Sequence, residues 1–205
     1  MISIDPGGQS VQENYKLLIG SVIPRPIALV TTLSEEGVLN AAPFSFFNIV
    51  TASPPILSLS VQRKNGLRKD TARNAIAAGA FVVHIADERY AEAMNATAAP
   101  VEPHVSEVEL AGLTAVPSDC IAVPGIAEAR IRMECVLEQA LPLGEGEGEG
   151  GPSCDLLLGR VVRFHIADEL YMDGRIDAAD LQPISRLAGN DYARLGDSFT
   201  LIRPS

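Results

Sequence analysis

Hydrophobic positions along the chain follow a two-residue period more often than a helical one. The segments 27–32, 56–61 and 80–85 are short, apolar and rich in β-branched residues, a pattern typical of buried strands. Two longer segments, 126–143 and 154–166, predict a pair of long strands. The chain therefore predicts a sheet of about six or seven strands.

Helical periodicity occurs only in short insertions between these strands. It predicts helices over 12–20, 70–78 and 88–98, and a short one near 107–110 in an otherwise irregular stretch. Asp70 or Thr71 is expected near the N-cap of the second helix. Strands and helices do not alternate regularly, which disfavours a Rossmann sheet. The expected fold is mainly β, a mostly antiparallel barrel with flanking helices.

Length and charge narrow the class of protein. A chain of 205 residues fits a single domain spanning 1–205. The net charge of −10 argues against nucleic-acid and anionic membrane partners, and no apolar run is long enough to span a bilayer. The N-terminus lacks the features of a signal peptide, and three scattered cysteines predict reduced thiols. We therefore expect a cytoplasmic protein.

The negative charge lies mainly in the second half of the chain. Residues 1–102 carry 8 basic and 9 acidic side chains, whereas residues 103–205 carry 8 and 17. Alternating glycine and glutamate at 144–151 predict a flexible hairpin tip, because glycine is mobile and like charges repel. The first half could therefore hold an anionic small ligand.

Familiar catalytic motifs are missing from the sequence. It has no GxGxxG at a strand-to-helix turn, no GxxxxGK[ST], HExxH or GxSxG motif and no Cys/His spacing typical of zinc. His84 and His165 lie in apolar strands, where a structural role is favoured over that of a catalytic base. Cys135 is expected on the core side of its strand. The chain itself therefore supplies no obvious catalytic group.

The segment 63–74 is the most basic part of the chain. It holds five of the 16 Lys and Arg residues and leads from a strand into a predicted helix. A helix N-terminus binds phosphate through free N–H groups, and Arg63, Arg68, Lys69 and Thr71 would add charge and donors. A solvated basic loop is the alternative. Asp70 favours that alternative, because its carboxylate could fill the anion position.

An aromatic segment, 40–48, clusters three of the six phenylalanines among proline, serine and asparagine residues. Phe44, Phe46 and Phe47 could be ordinary core residues. The mixture of apolar faces and polar edges also suits a loop around a flat heteroaromatic ligand.

Four motifs in order resemble the flavin reductase-like family of FMN-binding split-barrel proteins. They are PRPIALVTT at 24–32, NAAPFSFFN at 40–48, KDTARN at 69–74 and LQPISRLAGNDY at 181–192, and the resemblance covers about residues 14–193. It implies a Greek-key split barrel and a homodimer with FMN near the subunit interface. The N-terminal helix followed by Pro-Arg-Pro resembles the flavoredoxin-like branch of the family.

The resemblance also implies which residues meet the flavin. The segment matching 63–74 would hold the phosphate, through Arg63, Lys69 and Thr71 with Asp70 beside them. The segment matching 40–48, with Asn40, Pro43 and Phe46, would line the isoalloxazine ring. Thr31, Thr32, Ser45 and Asn48 would meet the ring or the ribityl chain, and Arg186 and Tyr192 would approach the flavin or the interface.

The function implied by the resemblance is flavin reduction by hydride transfer from NADH or NADPH. In such chemistry the cofactors supply the reacting atoms, which fits a chain without a catalytic motif. The alternative is an FMN-bound electron carrier without nicotinamide activity, which would exchange electrons with an acceptor protein.

Overall fold

The computed structural model describes residues 1–146 and 151–204. Residues 147–150 of the expected Gly/Glu tip lie outside the described residues. No helix in these two ranges is long and apolar enough to cross a membrane.

Strands make up most of the regular structure. They are β1 (Arg25–Pro26), β2 (Ala28–Leu33), β3 (Leu39–Phe44), β4 (Phe47–Ala52), β5 (Pro55–Gln62), β6 (Ala80–Ile85), β7 (Ala115–Val116), β8 (Gly125–Ile126), β9 (Ile131–Leu143), β10 (Cys154–Ile166), β11 (Tyr171–Met172), β12 (Arg175–Ile176), β13 (Ile184–Arg186) and β14 (Tyr192–Arg194). The helices are α1 (Val11–Ser21), α2 (Asp70–Ala78), α3 (Ala91–Ala96), α4 (Glu107–Leu110) and α5 (Ala178–Leu181).

One antiparallel sheet dominates the part of the chain that the structure describes. Its seven strands are ordered β3-β2-β6-β9-β10-β5-β4, so the two edge strands are consecutive in sequence. Only Ser45 and Phe46 separate them, so the sheet must curl until its edges approach each other. No ladder joins β3 to β4. The result is a barrel that is split between these strands, which confirms the mainly β expectation.

The barrel interior is built from the alternating side chains of these strands. Leu59 and Val61 of β5, Phe81 of β6 and Leu157 of β10 are at most 1% exposed. Cys135 of β9 joins this cluster, as its position in the strand pattern predicts. Burial raises the pKa of the Cys135 thiol to about 12, so it stays protonated. Cys135 is therefore a packing residue.

The long β9–β10 hairpin differs from its prediction at one end. The first strand was expected from residue 126 but begins at Ile131, because Gly125–Ile126 instead pair with Ala115–Val116. Between them the chain turns at Arg130, whose buried guanidinium binds the Asp87 carboxylate at 3.0 Å. The strand pattern misses this turn because its partner is 43 residues away.

Two further expectations are corrected. The aromatic segment 40–48 is not a loop, because it pairs as β3 and β4 on either side of a two-residue bend. The helix expected over 88–98 is a 3₁₀ turn, Glu88–Tyr90, followed by α3. The Asp87 carboxylate accepts the Arg89 N–H there and begins the 3₁₀ turn.

Gly159 of β10 supplies a test of the packing. A Cβ at this position would lie 2.3 Å from Cζ of Phe81 and 3.1 Å from Cβ of Cys135. Gly159→Ala is expected to destabilise the protein by about 1–3 kcal/mol, measured by urea unfolding, because overpacking forces buried side chains from their rotamers.

The matched control is the same substitution in helix α1. A Cβ at Gly20 meets nothing within 4 Å, so Gly20→Ala is expected to stabilise the helix by about 1 kcal/mol. Equal effects of the two substitutions would contradict the close packing at Gly159.

Candidate functional site

Two adjoining cavities lie where the split edge of the barrel meets α2 and the C-terminal strands. The first, here the aromatic cavity, has a volume of about 610 Å³ and is lined by Tyr15, Phe46 and Tyr192 among others. The second, here the basic cavity, has about 470 Å³ and is lined by Lys64, Arg68, Lys69, Thr71 and others. Pro43, Phe44 and Ala98 line both cavities, which therefore form one groove.

The basic cavity opens onto the N-terminus of α2. Lys69 is the N-cap residue and provides no side-chain cap, and Asp70 and Thr71, expected near the N-cap, are the first two residues of the helix. The Asp70 carboxylate instead pairs with Arg73 at 2.6 Å, one turn into the helix. Because no side chain of the helix start takes the first N–H groups, they remain available to an anion from outside.

A buried carboxylate fixes the loop that carries the two lysines. Asp155 of β10 is fully buried and accepts hydrogen bonds from Arg63 at 2.7 and 2.8 Å and from Arg68 at 3.2 Å. Burial alone would raise the pKa of the Asp155 carboxyl, but these bonds hold it below its ordinary value. Asp155 thus holds Arg63 and Arg68, and Lys64 lies between these two arginines and Lys69 directly after the second.

The wall of the basic cavity is a polar network centred on Asn40. Its amide oxygen accepts the hydroxyls of Thr32 and Thr71, each at 3.1 Å, and its NH₂ donates to Glu107 at 2.9 and 3.0 Å. Glu107 also accepts the N–H of Ala41. Burial raises the pKa of Glu107 despite these bonds. The network ties α2 and α4 to β3 and gives the cavity a fixed polar rim.

The aromatic cavity contains two arginines. Arg25 is 6% exposed and donates to the carbonyls of Ile19, Val22 and Leu187 at 2.7–2.8 Å and to the Ser45 hydroxyl. It thereby joins the end of α1 to the segment after β13. The guanidinium of Arg186 lies over the Tyr192 ring, 4.6 Å from its centroid.

Comparison with known proteins identifies the fold family. The flavin reductase like domain matches residues 19–180. The chain belongs to the flavin reductase-like family. Nitrilotriacetate monooxygenase component B from Bacillus cereus is 62% identical, with 98% of each chain covered and a TM-score of 0.95.

Two further solved structures extend the comparison. The 2-nitrobenzoate 2-nitroreductase NbaA of Pseudomonas fluorescens is 35% identical, covers 99% of this chain and 96% of its own, and has a TM-score of 0.87. A protein with a split barrel domain from Shewanella frigidimarina is 17% identical and has a TM-score of 0.78. The match covers 97% of this chain and 96% of that protein. The last similarity shows the fold alone and agrees with the split sheet described above.

Most of the residues expected at the flavin reductase-like site come together in the groove. Asn40, Lys69, Asp70 and Thr71 line the basic cavity, Ser45, Phe46, Arg186 and Tyr192 line the aromatic cavity, and Pro43 lines both.

Four expected residues do not line either cavity. Thr31 and Thr32 are fully buried, and Thr31 donates to the Pro124 carbonyl at 2.7 Å, so neither hydroxyl is open to a ligand. Asn48 lies on the exposed face of β4 and accepts the Ile49 N–H. Arg63 is held by Asp155. The resemblance places these residues near the flavin, whereas none of the four lines either cavity of the described structure.

Several lining residues have no signal in a single sequence. Glu107 meets Asn40 across 67 residues, and the segment 97–101 closes the basic cavity from a stretch without periodicity. Tyr15 lies on a short amphipathic helix and gives no hint of a cavity. Lys64 could have been found, since it lies in the basic segment 63–74.

The histidines of β6 and β10 both have hydrogen-bond partners. His84 is fully buried, and both ring nitrogens have partners: Nδ1 donates to the Leu29 carbonyl and Nε2 accepts the Ile126 N–H, each at 2.9 Å. His165 Nε2 lies 2.6 Å from the buried Glu134 carboxylate. Neither histidine lines the groove.

Proposed function

We propose that this protein is an FMN-dependent oxidoreductase that reduces flavin with NADH or NADPH. The observation that carries the proposal is the uncapped N-terminus of α2, which opens with Lys64 and Lys69 into a cavity that adjoins an aromatic one. A strongly anionic group and a flat aromatic group can therefore bind side by side.

The chemistry of the groove fits the two ends of FMN. The ammonium groups of Lys64 and Lys69 and the free N–H groups of α2 suit a phosphate, which is dianionic near neutral pH. Pro43 and Phe44, on the wall that the two cavities share, would provide apolar surface for the ring. Bound FMN would accept a hydride from the nicotinamide and pass the electrons on. The residues of the chain would bind it, orient it and limit access of water.

The similar proteins support an oxidoreductase role. One is named as a component of nitrilotriacetate monooxygenase and another as a nitroreductase. Both names describe redox enzymes, and both chains match this one along nearly their whole length. The proposal carries that general chemistry to this chain.

The direct test is to add FMN to the purified protein and follow flavin fluorescence, then add NADH or NADPH. We expect saturable FMN binding and bleaching of the flavin absorbance by at least one nucleotide. The electron-carrier alternative predicts FMN binding with bleaching only by dithionite. Absence of FMN binding would contradict both.

A homodimer and a cytoplasmic location are further parts of the proposal. Ile49 and Val50 on edge strand β4 and Leu18 on α1 are at least half exposed, which is costly for apolar side chains in water. The three cysteines are free, as expected for a reducing compartment. Light scattering during size-exclusion chromatography tests the dimer, and a mass matching one chain would contradict it.

Lys69→Ala is expected to weaken FMN binding by about 1.5–3 kcal/mol, because it removes a charge-assisted hydrogen bond to the phosphate. Fluorescence titration with FMN measures the effect. Riboflavin, which has no phosphate, serves as the control ligand, and its affinity should not change.

Lys16→Ala is the matched control variant. The chain has three lysines, and Lys16 is the one outside the basic segment. Lys16→Ala should bind FMN as the unaltered protein does. If Lys69→Ala lowers the affinities for FMN and riboflavin equally, the phosphate does not bind at Lys69.

A further inference from the structure

The aromatic cavity carries positive charge that its own walls do not balance. Arg25 and Arg186 line it, and none of its described lining residues is Asp or Glu. This is unusual in a protein with a net charge of −10. The cavity is therefore a locally cationic place in an acidic molecule.

Arg25 is the buried source of this charge. Its guanidinium donates to three carbonyls and one hydroxyl, all of them neutral, and it forms no ion pair within the described residues. Neutral acceptors satisfy its hydrogen bonds without cancelling the charge. In a poorly solvated place that charge acts over a longer range than in water and favours an anion nearby.

Arg186 is the accessible source. It is partly exposed, one nitrogen donates to the Gly189 carbonyl, and no carboxylate in the described part of the chain pairs with it. The guanidinium plane of Arg186 is fixed by the Tyr192 ring beneath it. The Tyr192 hydroxyl in turn donates to the Asn95 side chain at 3.0 Å. A guanidinium held in one plane presents its remaining N–H groups as a fork, the geometry that pairs with a carboxylate.

We propose that the aromatic cavity binds an aromatic carboxylic acid beside the flavin, with its carboxylate on Arg186. Tyr15, Phe46 and Tyr192 provide apolar surface for the attached ring, and Arg25 adds a favourable field without direct contact. This inference rests on the proposed function, in which FMN occupies the basic cavity and the wall that the two cavities share. The lysines and the helix N-terminus that suit a phosphate lie in the other cavity.

The test uses the full chain loaded with FMN and benzoate as the probe. FMN retention is measured first, and benzoate binding is then followed by the change in flavin absorbance and by calorimetry. Benzamide, which has nearly the same shape without the charge, is the control ligand. We expect benzoate to bind at least about tenfold more tightly than benzamide, because only benzoate forms a charge-assisted pair.

Variants assign the effect to one side chain. Arg186→Ala, compared with the unaltered protein at equal FMN content, should lose about tenfold or more in benzoate affinity. Arg186→Lys, which keeps the charge without the fork, should lose at least about threefold. Arg89→Ala removes an exposed arginine that lines neither cavity and should leave benzoate affinity unchanged.

Several results would overturn the proposal. Equal binding of benzoate and benzamide, or unchanged benzoate affinity in both Arg186 variants, would show that the cavity does not recognise a carboxylate. Loss of FMN from Arg186→Ala would assign Arg186 to the flavin instead. NAD⁺ binding is measured on the same variants. If Arg186→Ala weakens the binding of NAD⁺ but not of benzoate, Arg186 recognises a dinucleotide phosphate instead. If the unaltered protein fails to bind FMN, the proposed function falls as well, whereas FMN binding without benzoate binding removes this inference alone.

Discussion

Asp155→Ala is expected to destabilise the protein by about 3–4 kcal/mol, because removal of one partner of a buried ion pair leaves the other uncompensated. Asp155 is fully buried, and the Arg63 side chain is 13% exposed. The Arg68 side chain is 43% exposed and can turn to solvent. The expected loss of stability is therefore at the lower end of the range for breaking a buried ion pair. Urea unfolding followed by circular dichroism measures the change.

The same substitution should also weaken FMN binding. Arg63 and Arg68 lie at the start and near the end of the loop that carries Lys64, so without Asp155 the loop loses the side-chain contacts that hold it against β10. Asp119→Ala is the matched control, because Asp119 faces Arg163 at 3.7 Å on the surface and should cost less than about 1 kcal/mol. Similar stabilities for the two variants would contradict the anchoring role of Asp155.

Acidification should destabilise the protein through His84. Burial, with a smaller contribution from nearby Arg132 and against the effect of the Leu29 carbonyl, lowers the pKa of this imidazole to about 4. Protonation would place a hydrogen on Nε2, which now accepts the Ile126 N–H. The folded protein therefore resists a proton that the unfolded chain, with a histidine pKa of about 6.5, takes up readily.

The direction of the stability change and its pH range follow from the difference between the folded and unfolded pKa values of His84. Between pH 6.5 and 4 the unfolded state binds more protons than the folded state, so stability is complete above pH 6.5 and falls as the pH is lowered. The expected loss from pH 7.5 to 4.5 is about 2–3 kcal/mol, from urea unfolding at each pH.

Other groups titrate in the same range, so a variant must isolate His84. Glu107, whose pKa burial raises, acts in the opposite direction, because the folded state holds its proton to a higher pH. The glutamine of His84→Gln gains no charge at low pH. This variant should therefore lose less of its free energy of unfolding on acidification than the unaltered protein does. His104→Gln, in an exposed loop, should behave as the unaltered protein, and equal pH profiles for all three proteins would rule out His84 as the source.

Local patterns predicted the regular elements well. The bounds of α2, β6 and β10 agree with the sequence, because each has a clear period and Gly79 ends α2 in a left-handed conformation. The mainly β fold followed from the order of these elements. The starts of β9 and α3 did not follow from it, because Arg130 and Asp87, which precede them, contact each other across the chain.

The motifs of the sequence predicted residues that line the groove, but not the contacts that support them. The basic segment is visible in the sequence, but whether Asp70 blocks the helix start depends on its pairing with Arg73. The burial of Thr31 and the role of Arg63 depend on Pro124 and Asp155, which are distant in sequence. Side chains that look like ligands in a motif can thus be supports in the folded protein.

The scarcity of lysine in this chain has a practical consequence. Two of its three side-chain amines line one cavity, so reagents that acylate amines will concentrate their damage there. Attachment to a surface or a dye through amines would block the groove, whereas coupling through the exposed Cys120 thiol would leave it open. Any labelled form of this protein should therefore be prepared by thiol chemistry.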